Sequence, residues 1–341
     1  MAHQSLGSRL LLTLLGLSVV LLLLAAAAAA SAWIWLERPL PLAGTSAELS
    51  IEPGATPREV AQFWVDAGVQ THPRLLYEWF RWSGQARRIR AGSYEIDAGT
   101  SPRGLLAKLV QGDETMERVR FIEGWTVRQL RAALAQASHL KPATAGMSDA
   151  QLMAALGSPE QAAEGRFFPD TYVYSRGVSD LTVLRRAHKA LQQRLDEVWA
   201  EKPPDSPLKS PADVLKLASI VEKETGLAAD RGLVAGVFIN RLRIGMPLQT
   251  DPTVIYGLGE KFDGNLRKRD LLADTPYNTY IRGGLPPTPI ALPGMASLRA
   301  AVRPQPTKAL YFVARGDGSS VFSDNLADHN RAVNKYQRGG P

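Results

Sequence analysis

The sequence predicts an α+β protein carried on an N-terminal membrane helix, and three observations lead there. An uncharged apolar run opens the chain, between Leu10 and Leu36. Short strand-like runs follow, each closed by a glycine and a helix-capping hydroxyl. The second half holds amphipathic helices with caps at their starts and one β-hairpin signal near the end. Together these describe a transmembrane helix, a small β/α module and a mainly helical domain with a hairpin region.

The first run reads "LLLTLLGLSVVLLLLAAAAAASAWIWL". It exceeds the roughly 20 residues that span a bilayer. Arg9 precedes it, and Trp33 and Trp35 lie at its far edge as an interfacial belt would. The rival reading is a cleaved signal peptide, because the alanine run offers small-residue cleavage sites. Either way residues 37–341 are exported. The chain has 341 residues, no cysteine and a net charge of +7. Disulfides and thiolate chemistry are thereby excluded. The charge favours an anionic partner, but no arginine-rich run or nucleic-acid motif is present, so nucleic acid is not expected. The five histidines are scattered and no HExxH or calcium loop occurs. Neither a metal nor a cofactor is therefore expected.

Three segments share one logic: "IEPGATPREVAQFW" (51–64), "YEIDAGTSPRGLLAKL" (94–109) and "RFIEGWTVRQLRAAL" (120–134). Each runs from a strand-like stretch through Gly54, Gly99 or Gly124 to Thr56, Ser101 or Thr126, which serves as N-cap. Residues 141–163 form a helix-containing connector, and "EGRFFPDTYVY" enters the next domain. An amphipathic helix spans 179–200, capped by Ser179 or Asp180. A proline-rich loop covers 201–211. A second helix spans 230–245, with Leu233, Val234, Val237, Phe238 and Leu242 on one face. Asp251 is expected as an N-cap with Pro252 at the first helical position. "LYFVARGDGSSVFS" (310–323) signals a hairpin.

"LASIVEKETG" (217–226) ends an apolar helix in Glu222 and Glu224. Ser210 caps this helix, Pro211 sits in its first turn, and Gly226 suits a left-handed stop. Val214, Leu217, Ala218 and Val221 form its buried stripe. Glu224 extends the stripe and Glu222 sits at its edge, while Lys216, Ser219 and Lys223 lie opposite. An apolar setting and a helix C-terminus both disfavour a charged carboxylate, which suits a general acid. The competing reading makes both glutamates surface residues paired with Lys223, Lys216 or Arg231.

The motifs "ASIVEKET", "VFINRL", "LQTDPTVIYG", "YNTY" and "GLPPTPIALPG" occur in this order, with "EGRFFPDTY" upstream and "LYFVA" and a histidine downstream. In these the chain resembles the endolytic murein transglycosylases, the YceG-like or MltG-like family. The resemblance implies a lyase that cuts nascent peptidoglycan strands within the chain, without water and without a cofactor. It implies Glu224 as the catalytic residue, giving and then taking a proton, and a 1,6-anhydro product. It further implies a LysM-like module, a bacterial inner-membrane location with the N-terminus cytoplasmic and the catalytic domain periplasmic, and peptidoglycan synthases (penicillin-binding proteins) as partners. The expected organisation is a tail at 1–9, an anchor at 10–36 and a linker at 37–48. A LysM-like module at 49–140, the connector, a catalytic domain at 164–335 and a tail at 336–341 follow. Candidate substrate-binding residues are Asn240, Arg241, Gln249, Asp251, Tyr277, Asn278 and Tyr280. Asn240 and Arg241 alternatively brace Glu224, and Asp251 alternatively only caps. His329 and Asn330 are placed at the cleft rim. Trp64, Trp79, Trp82 and Trp125 are glycan contacts or core. Two other functions stay open: a glycan hydrolase using Asp251 or Glu222, and a non-catalytic wall-binding scaffold.

Overall fold

Helix α1 (His3–Glu37) carries the apolar run, and from Leu14 to Glu37 it is long and apolar enough to cross a membrane. Its apolar window is not buried in the protein. One such helix fits a single-pass anchor. The structure is a computed structural model describing residues 3–224 and 226–339. Thr225 of the "EKET" motif and the extreme ends of the two expected tails, 1–2 and 340–341, lie outside the described residues.

The chain divides into two compact units, residues up to Glu117 with Ser175–Gly177, and Arg118–Tyr174 with the remainder from Val178. In the first, the segment expected as a linker is bonded into the fold. Leu40 is buried and donates its N–H to Thr100 O at 2.9 Å, and Ala43 N–H donates to Gly68 O at 2.8 Å. Arg103 pairs with Glu37 at 2.9 Å and lies 4.8 Å from the Trp33 ring centre. Then come β1 (Ser46–Ile51), α2 (Pro57–Asp66), α3 (Pro73–Trp82), β2 (Gly92–Asp97) and α4 (Pro102–Gln111). β1 and β2 pair antiparallel, with Ser46 opposite Asp97 and Ile51 opposite Gly92. Thr56 caps α2 and forms a capping box with Glu59, and Ser101 caps α4. Gly54 and Gly99 turn the chain into these caps at φ +92° and +113°, which a side chain would oppose. Trp64 is fully buried with Val60, Phe80 and Leu105. Trp79 donates its indole N–H to Pro102 O at 3.0 Å, while Trp82 is 78% exposed.

The second unit holds β3 (Met116–Arg120) from Arg118 onward, α5 (Val127–Ala135), α6 (Asp149–Ala155), β4 (Thr171–Ser175) as far as Tyr174, and α7 (Asp180–Ala200). α8 (Pro211–Glu224), α9 (Ala228–Arg243), α10 (Asp251–Leu258), α11 (Lys268–Leu271) and α12 (Met295–Val302) follow. β5 (Tyr311–Ala314), β6 (Ser320–Ser323) and α13 (Leu326–Gln337) complete it. The third strand–turn–helix segment, 120–134, lies here and not in the first unit. Its strand β3 pairs with β4, and Thr126 caps α5. Trp125 packs partly buried against the core around Phe121, Leu130 and Phe167. Ser179 caps α7, and β5 and β6 form the antiparallel hairpin.

α8 is the centre of this unit, packed by α7, α9, α10 and α12. Val214, Leu217, Ala218 and Val221 are buried, and so are Leu215, Ser219 and Ile220. Ser219 therefore does not face solvent opposite a stripe. The middle of the helix is apolar on most sides and buried there, while Lys223 stays exposed. The buried Ser219 hydroxyl donates to Lys216 O at 2.7 Å and accepts from Ile290 N–H at 3.0 Å. Ser210 Oγ accepts from Asp213 N–H at 3.2 Å, as a capping serine does. Gly226 is not in the left-handed region; the chain passes almost at once into α9, whose N-cap is Leu227.

Candidate active site

The last residue of α8 is Glu224, and the two glutamates point to different surroundings. Glu222 accepts the backbone N–H of Gly294, the N-cap of α12, at 2.9 Å. Glu224 is half-buried and opens into a cleft of about 590 Å³. The first wall of the cleft comes from Arg241 at the end of α9, with Gln249, Asp251 and Tyr280. The second comes from Tyr311 to Ala314 of β5 and from α13, which contributes His329, Asn330 and Val333.

Burial raises the pKa of the Glu224 carboxyl above the ordinary glutamate value. The Thr250 hydroxyl, donating to Oε2 at 2.6 Å, acts in the opposite sense. Negative charge on Asp251 raises it again, and the Arg241 guanidinium lowers it. Arg241 is itself buried. Its Nε donates to Leu310 O at 2.7 Å and its Nη1 to Leu248 O at 2.7 Å, so it stitches α9 to both cleft walls. Its guanidinium carbon lies 5.3 Å from the Tyr311 ring centre, and His329 stacks on that ring at 5.1 Å. Burial and the Arg241 charge lower the His329 pKa.

Five of the eight sequence candidates meet here: Glu224, Arg241, Gln249, Asp251 and Tyr280. Asp251 is not the N-cap of α10; Thr250 holds that position, and Asp251 accepts from the Tyr280 hydroxyl at 2.6 Å. The other three lie outside the cleft. Asn240 Nδ2 donates to Thr307 O and Ala309 O, at 2.9 and 3.1 Å. Asn278 is fully buried. It donates to Leu271 O and Ala273 O and accepts from Tyr280 N–H, which sets the turn presenting Tyr280. Tyr277 bonds Thr288 at 2.8 Å and meets the Tyr256 ring edge-on at 4.8 Å. Residue spacing marks a turn, but not which of its side chains points outward. Thr250 and Tyr311 were missed. The polar residue just before Asp-Pro was the available signal for Thr250.

A larger cavity of about 710 Å³ lies between the 201–206 loop and the 302–307 segment and includes Asn240 and Arg243. Its two lining carboxylates, Glu201 and Asp205, are exposed to solvent, so the smaller cleft is the better catalytic candidate. Elsewhere, Glu164 accepts from Val127 N–H at 3.0 Å, Gly165 N–H at 3.2 Å and the Tyr256 hydroxyl at 3.2 Å. Burial nonetheless pushes its carboxyl up to about 7. The folded state thus holds this proton more tightly than the unfolded chain. The contribution is complete below the unfolded value near 4.5 and is lost as pH rises through about 7. Glu164→Gln is expected to flatten the stability profile between these limits, by on the order of 3 kcal/mol. Urea melts of both proteins across that range check it.

The sequence profile of the YceG-like family matches residues 49–335. The chain is 31% identical over 309 residues to the endolytic murein transglycosylase of Bacillus subtilis, covering 86% of this chain and 85% of that protein. It is 27% identical over 341 residues to the endolytic murein transglycosylase of Streptococcus pneumoniae, covering 88% of this chain but 61% of that longer protein. The crystal structure of a YceG-like protein from Listeria monocytogenes matches with a TM-score of 0.52 at 26% identity, covering 84% of this chain and 98% of that one.

Proposed function

Because this chain belongs to the YceG-like family, we propose that it is a peptidoglycan lytic transglycosylase that cuts glycan strands internally, with Glu224 as its acid–base group. The observation that carries the reading is the half-buried Glu224 carboxyl at the cleft wall, with its pKa raised by burial. A glutamic acid that keeps its proton near neutral pH is what protonation of a glycosidic oxygen requires. In the first step Glu224 gives its proton to the oxygen joining N-acetylmuramic acid to N-acetylglucosamine, and the C1–O bond breaks. The resulting carboxylate takes the proton of the muramyl 6-hydroxyl, whose oxygen bonds to C1. The products are a free 4-hydroxyl and a 1,6-anhydro end, with no water consumed and Glu224 protonated again. Arg241, Gln249, Asp251 and Tyr280 line the path of the strand. Asn240, Tyr277 and Asn278 support it from behind.

The remaining features extend the reading. The apolar helix α1 anchors the enzyme in the bacterial inner membrane, with residues beyond it in the periplasm. The bonded 37–48 segment supports a short tether that keeps the first unit near newly made strands. The β1–α2–α3–β2 order with its antiparallel strand pair supports a LysM-like module, whose exposed Trp82 offers a stacking face for glycan. Beside peptidoglycan synthases, such an enzyme acts as a terminator of strand elongation.

Hydrolysis is a second reading, favoured by one observation: Asp251 shares the cleft with Glu224, as a base that activates water would. Mass spectrometry of muropeptides released by the full chain separates the two. Transglycosylation gives anhydro ends, one water lighter than the reducing ends of hydrolysis. Reducing ends alone would overturn the proposal.

A further inference from the structure

Resting on the reading of Glu224 above, we infer that Thr250 is a positioning residue whose hydroxyl holds Oε2 of Glu224, leaving Oε1 as the one oxygen that gives and takes the proton. Thr250 occupies the N-cap position of α10, where a threonine hydroxyl ordinarily accepts from a backbone N–H of the first turn. Here it makes no such bond. Its Oγ1 instead donates to Glu224 Oε2 at 2.6 Å.

The hydroxyl is fixed from behind. Thr250 is 2% exposed, its N–H donates to Thr279 Oγ1 at 3.2 Å, and its carbonyl accepts from Thr253 Oγ1 at 2.8 Å. The hydroxyls of Thr253 and Thr279 bond each other at 2.8 Å. Just before Thr250, Gln249 adopts φ +48° and donates its N–H to Thr279 O at 3.0 Å. A non-glycine residue held in that region marks a backbone constrained by its surroundings.

A hydroxyl has one proton. Among the described residues Thr250 Oγ1 bonds Glu224 alone. A carboxyl proton on Oε2 would turn the hydroxyl into an acceptor and leave its own proton without a partner, which is costly in a buried place. With the proton on Oε1, Oε2 accepts in both states of the acid. Oε1–H then protonates the glycosidic oxygen, and bare Oε1 receives the 6-hydroxyl proton, with no rotation of the carboxyl between the steps. The other charged or titratable groups facing Glu224 are Arg241 of α9, Asp251 of α10, Tyr280 of the turn before the 281–294 segment, Tyr311 of β5 and His329 of α13.

The test measures formation of anhydro ends against pH for the full-length wild type, Thr250→Val, Thr250→Ser and Glu224→Gln, each with a thermal melt. Valine removes the hydroxyl at nearly constant volume. The expected rate loss is roughly tenfold. The alkaline limb moves to higher pH, because a donor to the carboxylate has been removed. Serine restores both. Should valine lower the melting temperature, Thr250→Ala supplies the same readout in a smaller side chain. A Thr250→Val profile equal to wild type, or a Thr250→Ser profile equal to that of Thr250→Val, overturns the inference. Those outcomes with an inactive Glu224→Gln sink the role of Thr250 alone. An active Glu224→Gln sinks the functional reading itself.

Discussion

Glu224→Gln is expected to leave the protein folded and to lower strand cleavage by at least ~10²–10⁴-fold, the range for losing general acid–base catalysis. The amide keeps the shape of the carboxyl, and its oxygen still accepts from Thr250. What is lost is a group that both donates and accepts a proton. Glu222→Gln is expected to do far less, because the Glu222 side chain is committed to Gly294 N–H, and an amide oxygen meets that donor equally well. The pH–rate profile carries the same signature. The folded pKa of Glu224 lies above the usual carboxyl value, so the active acid persists past it and activity falls on the alkaline side as the proton leaves. Anhydro-end formation by each purified variant, with circular dichroism for the fold, checks this. Loss of activity in Glu222→Gln alone would assign the chemistry to the wrong carboxylate.

Arg241→Met has the second-largest expected effect, and it acts on stability first. Arg241 is 7% exposed, and its guanidinium donates to Leu310 O and Leu248 O, which lie in different segments. Methionine fills much of the volume but leaves these carbonyls unmet. The expected loss is about 2–4 kcal/mol, read from the urea midpoint. Arg241→Lys recovers only part of it, since a single ammonium cannot reproduce the fork. In the fraction that folds, Glu224 loses a facing cation, so the alkaline limb moves to higher pH.

Much of this molecule is legible before any coordinates. Thr56, Ser101 and Thr126 announce three helices because a hydroxyl after a positive-φ glycine has few other uses. The hairpin at 311–323 declares itself through β-rich runs around a Gly-Asp-Gly turn. The α8 stripe leads to Glu224 because helical period and burial agree along it. What escapes is information carried by distant partners. Ser219 looks solvent-facing by angle, yet Ile290 N–H comes from far along the chain to meet it. β3 belongs with β4, a pairing that no local pattern encodes. Within "YNTY", only the folded turn distinguishes Tyr280, which enters the cleft, from Tyr277, which meets Tyr256, and from Asn278, which holds the turn together. Thr250 is hidden for a related reason: the local pattern points to Asp251 as the cap, and the Thr250 bond to Glu224 joins two helices far apart in sequence.

The central claim is that Glu224 holds a proton at the pH where the enzyme works. Titrating its side-chain carboxyl by carbon-13 NMR in the full-length protein tests this most directly, with the resonance assigned by its absence from Glu224→Gln. The account predicts a midpoint above the ordinary glutamate value of 4.5 and coincident with the alkaline limb of the pH–rate profile. A midpoint at or below that ordinary value, or one that does not coincide with the limb, would contradict it.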